Sequence, residues 1–406
     1  MSTQNTGALA GIKVIDLSRV LGGPYATQIL GDHGAEVIKI EPPQGDETRE
    51  WGPPFRDDDG KRGPSAYYIN INRNKRGMAM DFTKADAREA LFKLLEGGDI
   101  LVENFKIGTL ERWGMGYDVL SKRFPRLIHA RVSGFGAEGP LGGMPGYDAI
   151  VQAMTGLSSC NGSPESGPVK LGVPMVDMAT GLNLVIGILL ALHERHRSGK
   201  GQFIEVALFD AGLSILHPHS GNWLLDGRLP KLLGNAHPNL TPYDLFPSAT
   251  RPIYLGIGND AQFRKALTVL GIPAVADDPR FKSMADRNAN RPALTQILRD
   301  ALAKVDGPKV AMELLKTGVP AGPLNTIEEV LGDRQTKTRE MVVEKDGYRG
   351  IASPVKMSRN KASTRHAPPD FGADNRDVLK AAGFGDGDID RLVQSGAVLD
   401  KPQRVS

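Results

Sequence analysis

Asp177 is the residue whose surroundings most favour chemistry in this chain of 406 residues. It stands where an extended segment, residues 173–176, meets a long apolar stretch, residues 178–197, which predicts a helix. A carboxylate at that junction can cap the helix by accepting hydrogen bonds from its first N–H groups. It can also face a pocket, beside helical N–H groups that stabilise negative charge. The spacing leaves both interpretations open, and the cap is the more common of the two.

A phosphorylated ligand is a second possibility raised by the side chains. Two groups of cations follow predicted α/β elements: Arg73, Lys75 and Arg76, then Lys106 and Arg112. Such residues are usually solvated, so surface and ligand-binding interpretations both stay open. The glycine pair at 22–23 lacks the G-x-G-x-x-G pattern, which argues against a nicotinamide-dependent oxidoreductase. The sequence also has no P-loop, no G-x-S-x-G elbow and no H-E-x-x-H pair.

Composition narrows the class of protein. Fifty Lys and Arg against 47 Asp and Glu leave a net charge of +3, too near balance for a nucleic-acid partner. The single cysteine, Cys160, excludes a disulfide framework and a zinc site built on several cysteines. The longest apolar run, 184–192, is too short to span a bilayer, and residues 1–7 have no apolar signal core. We therefore expect a cytoplasmic protein without a membrane partner.

The elements that must position these side chains alternate between strands and helices. Apolar runs at 12–17 and 35–40 flank a predicted helix that begins near Pro24 and ends before Gly34. This pattern predicts a βαβ unit. A helical spacing at 85–95 and strand-like runs at 100–103 and 127–132 continue the pattern. This alternation predicts an open, mostly parallel α/β sheet.

The second half of the chain differs in character. The nearly continuous apolar residues of 178–197 predict a helix that is buried on most sides, followed by a strand at 202–207. Beyond residue 210 a segment rich in Pro, Asn and Gly precedes a strand at 253–258 and three helices within 261–317. These residues predict a second, smaller α/β domain.

Several short segments, in this order and spacing, resemble the class III (CaiB/BaiF) CoA-transferases. They are 9–18, 22–24, 31–41, 72–76, 102–105, 132–136, 146–148 and 198–202. The resemblance spans nearly the whole chain and is densest over 9–215. Any one segment alone would be weak support for it.

This resemblance implies a Rossmann-like large domain built from both ends of the chain. The expected division is 1–210 for the first part of the large domain, 211–234 for a linker, 235–322 for the small domain and 323–406 for the return. It also implies a homodimer whose two chains are interlocked like linked rings.

The resemblance also implies an activity and a role for Asp177. The Asp177 carboxylate is expected to attack an acyl-CoA thioester, with succinyl-CoA as the expected donor. An aspartyl–acyl anhydride and then an aspartyl–CoA thioester form before CoA passes to a second carboxylic acid. The expected donors to the tetrahedral intermediates are the turn at Leu21 and the loop at Gly258. Coenzyme A is the only cofactor expected, and no metal is needed.

Expected contacts carry over position by position. For CoA they are Leu21, Gly22, Met80, Thr83, Asn104, Phe105, Lys106, Arg112, Pro145, Gly146, Tyr147 and Asp148. For the acyl pocket they are Trp51 and Tyr67. The formyl-CoA:oxalate members carry a glutamine where this chain has Leu21 and an arginine where it has Pro42. These two departures argue against specificity for formyl-CoA and oxalate.

Two other functions stay open at this point. An α-methylacyl-CoA racemase of the same superfamily would carry Gly-His-Asp where this chain has Gly-Tyr-Asp at 146–148. Tyrosine titrates near pH 10, so one half of the proton relay would be missing. A CoA-binding module without catalysis would use Asp177 only as a helix cap.

Overall fold

A six-stranded parallel sheet forms the centre of the computed structural model, which describes residues 6–403. In chain order its strands are β1 Lys13–Asp16, β2 Glu36–Glu41, β3 Lys75–Ala79, β4 Ile100–Glu103, β5 Ile128–Ser133 and β6 Phe203–Ala207. They lie in the order β6-β5-β4-β1-β2-β3, and every neighbouring pair is parallel. This is the strand order of Rossmann-like folds, with the order reversing between β1 and β4. The predicted parallel α/β sheet is confirmed.

Eight helices accompany the sheet along the first part of the chain. They are α1 Gly22–Asp32, α2 Ala66–Asn70, α3 Ala85–Leu95, α4 Thr109–Arg112, α5 Tyr117–Arg123, α6 Asp148–Met154, α7 Met175–Ser198 and α8 Leu208–Ser214. The C-terminal part adds the helices Arg334–Thr338, Asn375–Ala381 and Asp386–Gln394 and the antiparallel strands Val342–Lys345 and Tyr348–Ile351. A strand pair at Phe55–Asp58 and Lys61–Ser65 follows a short 3-10 helix at Glu47–Glu50.

The chain divides into two compact units. The first comprises the residues up to Thr155, Gly172–Leu216 and the residues from Arg334 on. The second comprises Gly156–Leu171 and His217–Asp333, so its limits differ from the expected linker and small domain. A hydrogen bond joins the two segments of this unit, because the amide of Gly234 donates to the carbonyl of Gly162 at 2.8 Å.

The second unit is itself α/β. Its antiparallel sheet has strands at Tyr243–Phe246, Ile253–Gly256 and Ala321–Pro323, and a two-stranded ladder joins Gly162–Ser163 and Gly167–Pro168. Its α-helices are His219–Asp226, Asp260–Val269, Met284–Ala289, Arg291–Leu302, Gly307–Lys316 and Ile327–Gly332. Short 3-10 turns lie at Ser158–Cys160, Pro273–Asp277 and Pro279–Phe281. Its core packs the sheet against these helices through residues such as Leu255, Phe263 and Leu298.

The prediction that helix α7 is buried on most sides is wrong. Leu184 and Ile188 are fully buried toward the sheet, while Ile186 is 55% exposed and Leu190 is 65% exposed on the opposite face. By length and composition the helix could span a membrane, since an 18-residue window within it has a mean hydropathy of 2.0. Half of that window is buried within the described residues, as in the core helix of a globular protein. The cytoplasmic location stays a prediction.

One edge of the sheet is covered by the end of the chain. Strand β3 is the edge strand, and its Gly77 amide donates to the Asp374 carboxylate at 2.7 Å. The Ala79 amide donates to the Asn375 side chain at 3.1 Å, and the Ala79 carbonyl accepts from the Leu399 amide at 3.1 Å. The first unit is therefore completed by the last residues of the chain.

Candidate active site

The turn that follows β1 delivers two backbone amides to the start of α1. Gly23 allows a close approach to Ser18, since a Cβ on Gly23 would lie 2.4 Å from the Ser18 hydroxyl oxygen. Leu21 is the N-cap of α1 and makes no side-chain cap. Within residues 6–403 no group accepts the N–H of Leu21 or Gly22. These amides, with the positive end of the helix dipole, can stabilise an anion.

Helix α7 packs closely on this turn. A Cβ on Gly181 would lie 2.7 Å from the Gly22 carbonyl oxygen, so only glycine permits the approach of the two helices. A Cβ on Gly22 would lie 3.8 Å from the Oδ1 atom of Asp177. The Asp177 carboxylate therefore faces the first turn of α1.

Asp177 does not cap its own helix. It is the third residue of α7, whose N-cap is Pro174 and carries no side-chain cap. Asp148, at the start of α6, supplies the missing acceptor, because its Oδ2 accepts from the amides of Val176 at 2.8 Å and Asp177 at 3.2 Å. The interpretation of Asp177 as a helix cap is wrong, and Asp148 has taken that role.

The Asp177 carboxylate has no hydrogen-bond donor and a raised pKa. In the described part of the chain no side chain or amide donates a hydrogen bond to it. Burial raises the pKa of Asp177 from its ordinary 3.8 to about 7, and the nearby charge of Asp148 adds to the rise. A carboxylate that is poorly solvated and unbonded is a better nucleophile than one in water.

A cavity of about 330 Å³ opens in front of Asp177. Its walls come from residues 19–22 after β1, 104–107 after β4, 132–134 at the end of β5 and the loop 143–147. Ligands of open α/β sheets bind at the carboxyl ends of the strands, where the strand order reverses. The cavity lies at that point of this sheet, between β1 and β4.

Many of the residues expected at the site line this cavity. They are Leu21, Gly22, Asn104, Phe105, Lys106, Pro145, Gly146, Tyr147 and Asp177. Arg19 and Glu47, which no sequence motif indicated, also line the cavity and form an ion pair at 2.9 Å. The position of Arg19, just before the glycine turn, is the only signal in the sequence that could have indicated it.

Four expected CoA contacts lie outside the cavity lining. Met80 is fully buried in the core and forms a bridge with Val398. The exposed Thr83 donates its hydroxyl to Asp81 at 2.6 Å, and the exposed Arg112 donates to Thr109 at 3.0 Å. The fourth, Asp148, is the acceptor at the start of α7 described above.

The expected acyl-pocket aromatics lie together. The rings of Trp51 and Tyr67 pack edge to face, with centroids 5.2 Å apart. Burial raises the pKa of Tyr67 to about 12, and the charge of Asp177 contributes to the rise. Both residues are outside the cavity lining. Gly258 belongs to the second unit, where its amide donates to the Gln262 side chain at 2.9 Å.

Arg73 and Lys75 of the first basic cluster are buried in ion pairs, so the hypothesis that this cluster binds phosphate is wrong. Arg73 pairs with Asp32 at 2.6 Å, and Lys75 is fully buried against Asp16 at 3.1 Å. Arg76 lies 3.7 Å from Glu36 on the sheet. Across residues 6–403, no three His, Cys, Asp or Glu side chains cluster in a way that could hold a metal ion.

Known proteins resemble this chain over most of its length. Residues 9–375 match the sequence model of CoA-transferase family III. A succinate–glutarate CoA-transferase of Agrobacterium fabrum is 40% identical, over 91% of this chain and 94% of its own. An acetyl-CoA:oxalate CoA-transferase of Acetobacter aceti is 39% identical, over 87% of this chain and 90% of its own. The crystal structure of a CaiB/BaiF family protein from Brucella suis is 40% identical, with a TM-score of 0.84 over 93% of this chain and 100% of that one.

Proposed function

This chain belongs to CoA-transferase family III, and from that membership we propose that it moves coenzyme A from succinyl-CoA to a second carboxylic acid through Asp177. One observation carries the proposal. The Asp177 carboxylate accepts no hydrogen bond from the described residues, and it faces the start of α1, where two amides are free to donate. A nucleophile and an oxyanion site thus adjoin one cavity at the carboxyl edge of the sheet.

The first half of the reaction activates the carboxylate. Asp177 attacks the thioester carbonyl of the donor, and the Leu21 and Gly22 amides stabilise the oxyanion that forms. The C–S bond breaks, CoA leaves as a thiolate, and an aspartyl–acyl anhydride remains. The thiolate then attacks the side-chain carbonyl of Asp177, which releases the donor acid and leaves an aspartyl–CoA thioester.

The second half reverses these steps with the new acid. The acceptor carboxylate attacks the Asp177 thioester, which expels CoA thiolate and forms a second anhydride. The thiolate attacks the acyl carbonyl of the acceptor, giving the new acyl-CoA and restoring the Asp177 carboxylate. Each step exchanges one activated acyl bond for another. The cycle therefore needs no ATP, no metal and no net proton transfer.

The walls of the cavity support an assignment of residues that bind CoA. Phe105 and Lys106 follow β4, and the loop 143–147 forms the opposite wall. We assign these residues to the CoA chain, and we assign Trp51 and Tyr67 to the acyl group. Met80, Thr83, Arg112 and Gly258 stay predictions, as does the part of the cofactor that each would contact.

The acids are proposed as dicarboxylates. The relative at 40% identity is named for succinate and glutarate, and the one at 39% is named for oxalate. Leu21 lines the cavity where the formyl-CoA:oxalate members carry a glutamine. An apolar side chain there favours a longer acid than oxalate, so we propose succinate as one partner and glutarate as the other.

We also propose the interlocked homodimer. The exposed apolar face of α7, with Leu182, Ile186, Leu189 and Leu190, supports a second copy as its cover. Light scattering should give twice the mass of one chain. Two differently tagged preparations, mixed without denaturant, should not exchange subunits, because linked rings must unfold to separate. A monomer, or rapid exchange, would contradict the proposal.

The function is tested by direct transfer. Purified enzyme with succinyl-CoA is incubated with a panel of carboxylic acids, and new CoA esters are read by mass spectrometry. Glutaryl-CoA should appear with the wild-type protein and not with Asp177→Asn. The matched control is Asp118→Asn, because Asp118 is an exposed carboxylate in the first turn of α5 and should leave the rate unchanged.

A trapping experiment identifies the nucleophile. Hydroxylamine should convert an activated Asp177 to a hydroxamate only when an acyl-CoA is present, and peptide mapping should find it at that residue alone. Deuterium entering the α-carbon of a 2-methylacyl-CoA, with no exchange of CoA, would instead support a racemase. Binding of CoA with neither reaction would leave only a CoA-binding module.

A further inference from the structure

The turn that carries the two free amides holds a strained residue. Val20 has φ of 70°, in the left-handed region. A β-branched side chain is strongly disfavoured there. Such a conformation persists only where the surrounding structure imposes it, so the contacts of the turn must explain it.

Asn104 makes the most complete of these contacts. Its Oδ1 accepts from the Arg19 amide at 3.0 Å, and its Nδ2 donates to the Arg19 carbonyl at 2.8 Å. One side chain, in the loop after β4, thus binds both backbone groups of the residue before Val20. The contact spans 85 positions in the sequence.

A buried ion pair holds the other side of the turn. Lys39, on β2, donates to the Ser18 carbonyl at 2.9 Å and to Asp46 at 2.8 Å. Asp46 in turn accepts from the Val20 amide at 3.4 Å. The side chains of Lys39 and Asp46 are both fully buried, so this side of the turn is rigid.

We propose that Asn104 is a positioning residue that holds the strained Arg19–Val20 turn, so that the Leu21 and Gly22 amides face Asp177. Its role is not mainly to bind CoA, as the sequence suggested. The proposal rests on the proposed function, since the amides act only if Asp177 attacks an acyl-CoA. Misplacement of such donors by about 1 Å can lower a rate by roughly 100-fold.

Steady-state kinetics separate the two roles. Asn104→Ala should lower kcat by roughly 10- to 100-fold and change the KM for succinyl-CoA by less than about threefold. Asn104→Asp should lose a similar factor, because it places a carboxylate oxygen against the Arg19 carbonyl. The control is Asn290→Ala, which removes an amide that bonds backbone carbonyls in the second unit. A raised KM with an unchanged kcat would overturn the proposal in favour of a CoA ligand.

A double-mutant cycle tests the link to backbone strain. Glycine adopts positive φ without strain, so the turn in Val20→Gly needs less external support. In that background Asn104→Ala should cost at least about fivefold less in kcat than it does in the wild type. Independent, multiplying losses would mean that Asn104 does not hold the strained residue.

A crystal structure of Asn104→Ala gives a readout that does not depend on activity. Val20 should leave the left-handed region, and the first turn of α1 should shift away from Asp177. If Val20 keeps φ near 70°, the proposal fails while the transferase function stands. If the wild-type protein exchanges no CoA, the proposed function fails, and the structure still decides whether Asn104 holds the turn.

Discussion

Asp16 and Asp177 lie in the same unit, but their surroundings shift the pKa of the two carboxylates in opposite directions. Asp16 is fully buried at the end of β1 and accepts from Ser18, Thr27 and Lys75. Burial by itself raises the pKa of Asp16, but the Lys75 and Lys39 charges and these hydrogen bonds bring it below 3.8. Asp177 is only partly buried and has no donor, and its pKa rises to about 7.

Burial alone therefore does not decide what a carboxylate does. With a full set of donors, Asp16 becomes part of the scaffold that fixes the turn after β1. Because no donor binds the oxygen atoms of Asp177, their lone pairs are available to attack a carbonyl group. The ionised form of Asp177 is destabilised for the same reason. The difference predicts that exchanging each for its isosteric amide affects stability at one site and reaction rate at the other.

The largest expected effect is on the rate. Asp177→Asn should lower kcat by roughly 1,000-fold or more, because an amide cannot form the anhydride. Initial rates of glutaryl-CoA formation check this. An Asn variant that kept a tenth of the wild-type rate would remove Asp177 from the mechanism and end the contrast with Asp16.

The next effect is on stability. Asp16→Asn should lower the free energy of unfolding by roughly 3–5 kcal/mol, because Lys75 is left buried without its partner charge. Since the folded-state pKa of Asp16 is lowered, its contribution is present above pH 3.8 and is lost as pH falls through the folded value. Urea unfolding near neutral pH measures the loss. A change within about 0.5 kcal/mol, as expected for the exposed Asp118→Asn, would contradict it.

The opposite sign is expected at Asp177. Its folded-state pKa lies above the ordinary value, so ionisation costs stability as pH rises from 3.8 through about 7. Asp177→Asn should therefore stabilise the protein, and the gain should grow by roughly 2–3 kcal/mol between about pH 5 and about pH 8. Unfolding curves at both pH values test the sign. A gain that does not depend on pH would show that the carboxylate is not held at a raised pKa.

The smallest effect concerns the pH–rate profile. Because the nucleophile we propose is the ionised form of Asp177, kcat/KM should rise with pH to a plateau above about 7. Asp148→Asn removes a neighbouring charge but keeps an acceptor for the Val176 and Asp177 amides. We expect it to move the midpoint to lower pH by up to about one unit. If the midpoint does not move, burial alone raises the pKa of Asp177.

Local patterns predicted the parts of the fold that depend on near neighbours. The predicted helix at 85–95 and strand at 100–103 coincide with α3 and β4, because their apolar residues recur at the helical and strand periods. The glycines after β1 also pointed to the turn that faces Asp177. The oxyanion role of that turn came from the family resemblance and stays a proposal.

The supporting contacts could not be read in the same way. Asp148 reaches the Val176 amide across 28 positions, and Asn104 reaches Arg19 across 85. Neither residue differs locally from an ordinary turn residue or a ligand contact. Lys75 resembled a surface cation because its partner, Asp16, lies on another strand. The order of the strands in the sheet decides which charged residues become neighbours. A local sequence pattern does not contain that order.

The cover over strand β3 has a consequence for biosynthesis. The groups that bond Gly77 and Ala79 belong to residues 374–399, so they leave the ribosome after all six strands. Until then a nascent chain that already has all six strands carries an open edge, and open edges recruit other strands. Truncation after residue 360 should therefore give an insoluble product even though the cavity residues are all present. During synthesis the chain therefore gains its protection against aggregation only after the residues that carry the chemistry have been made.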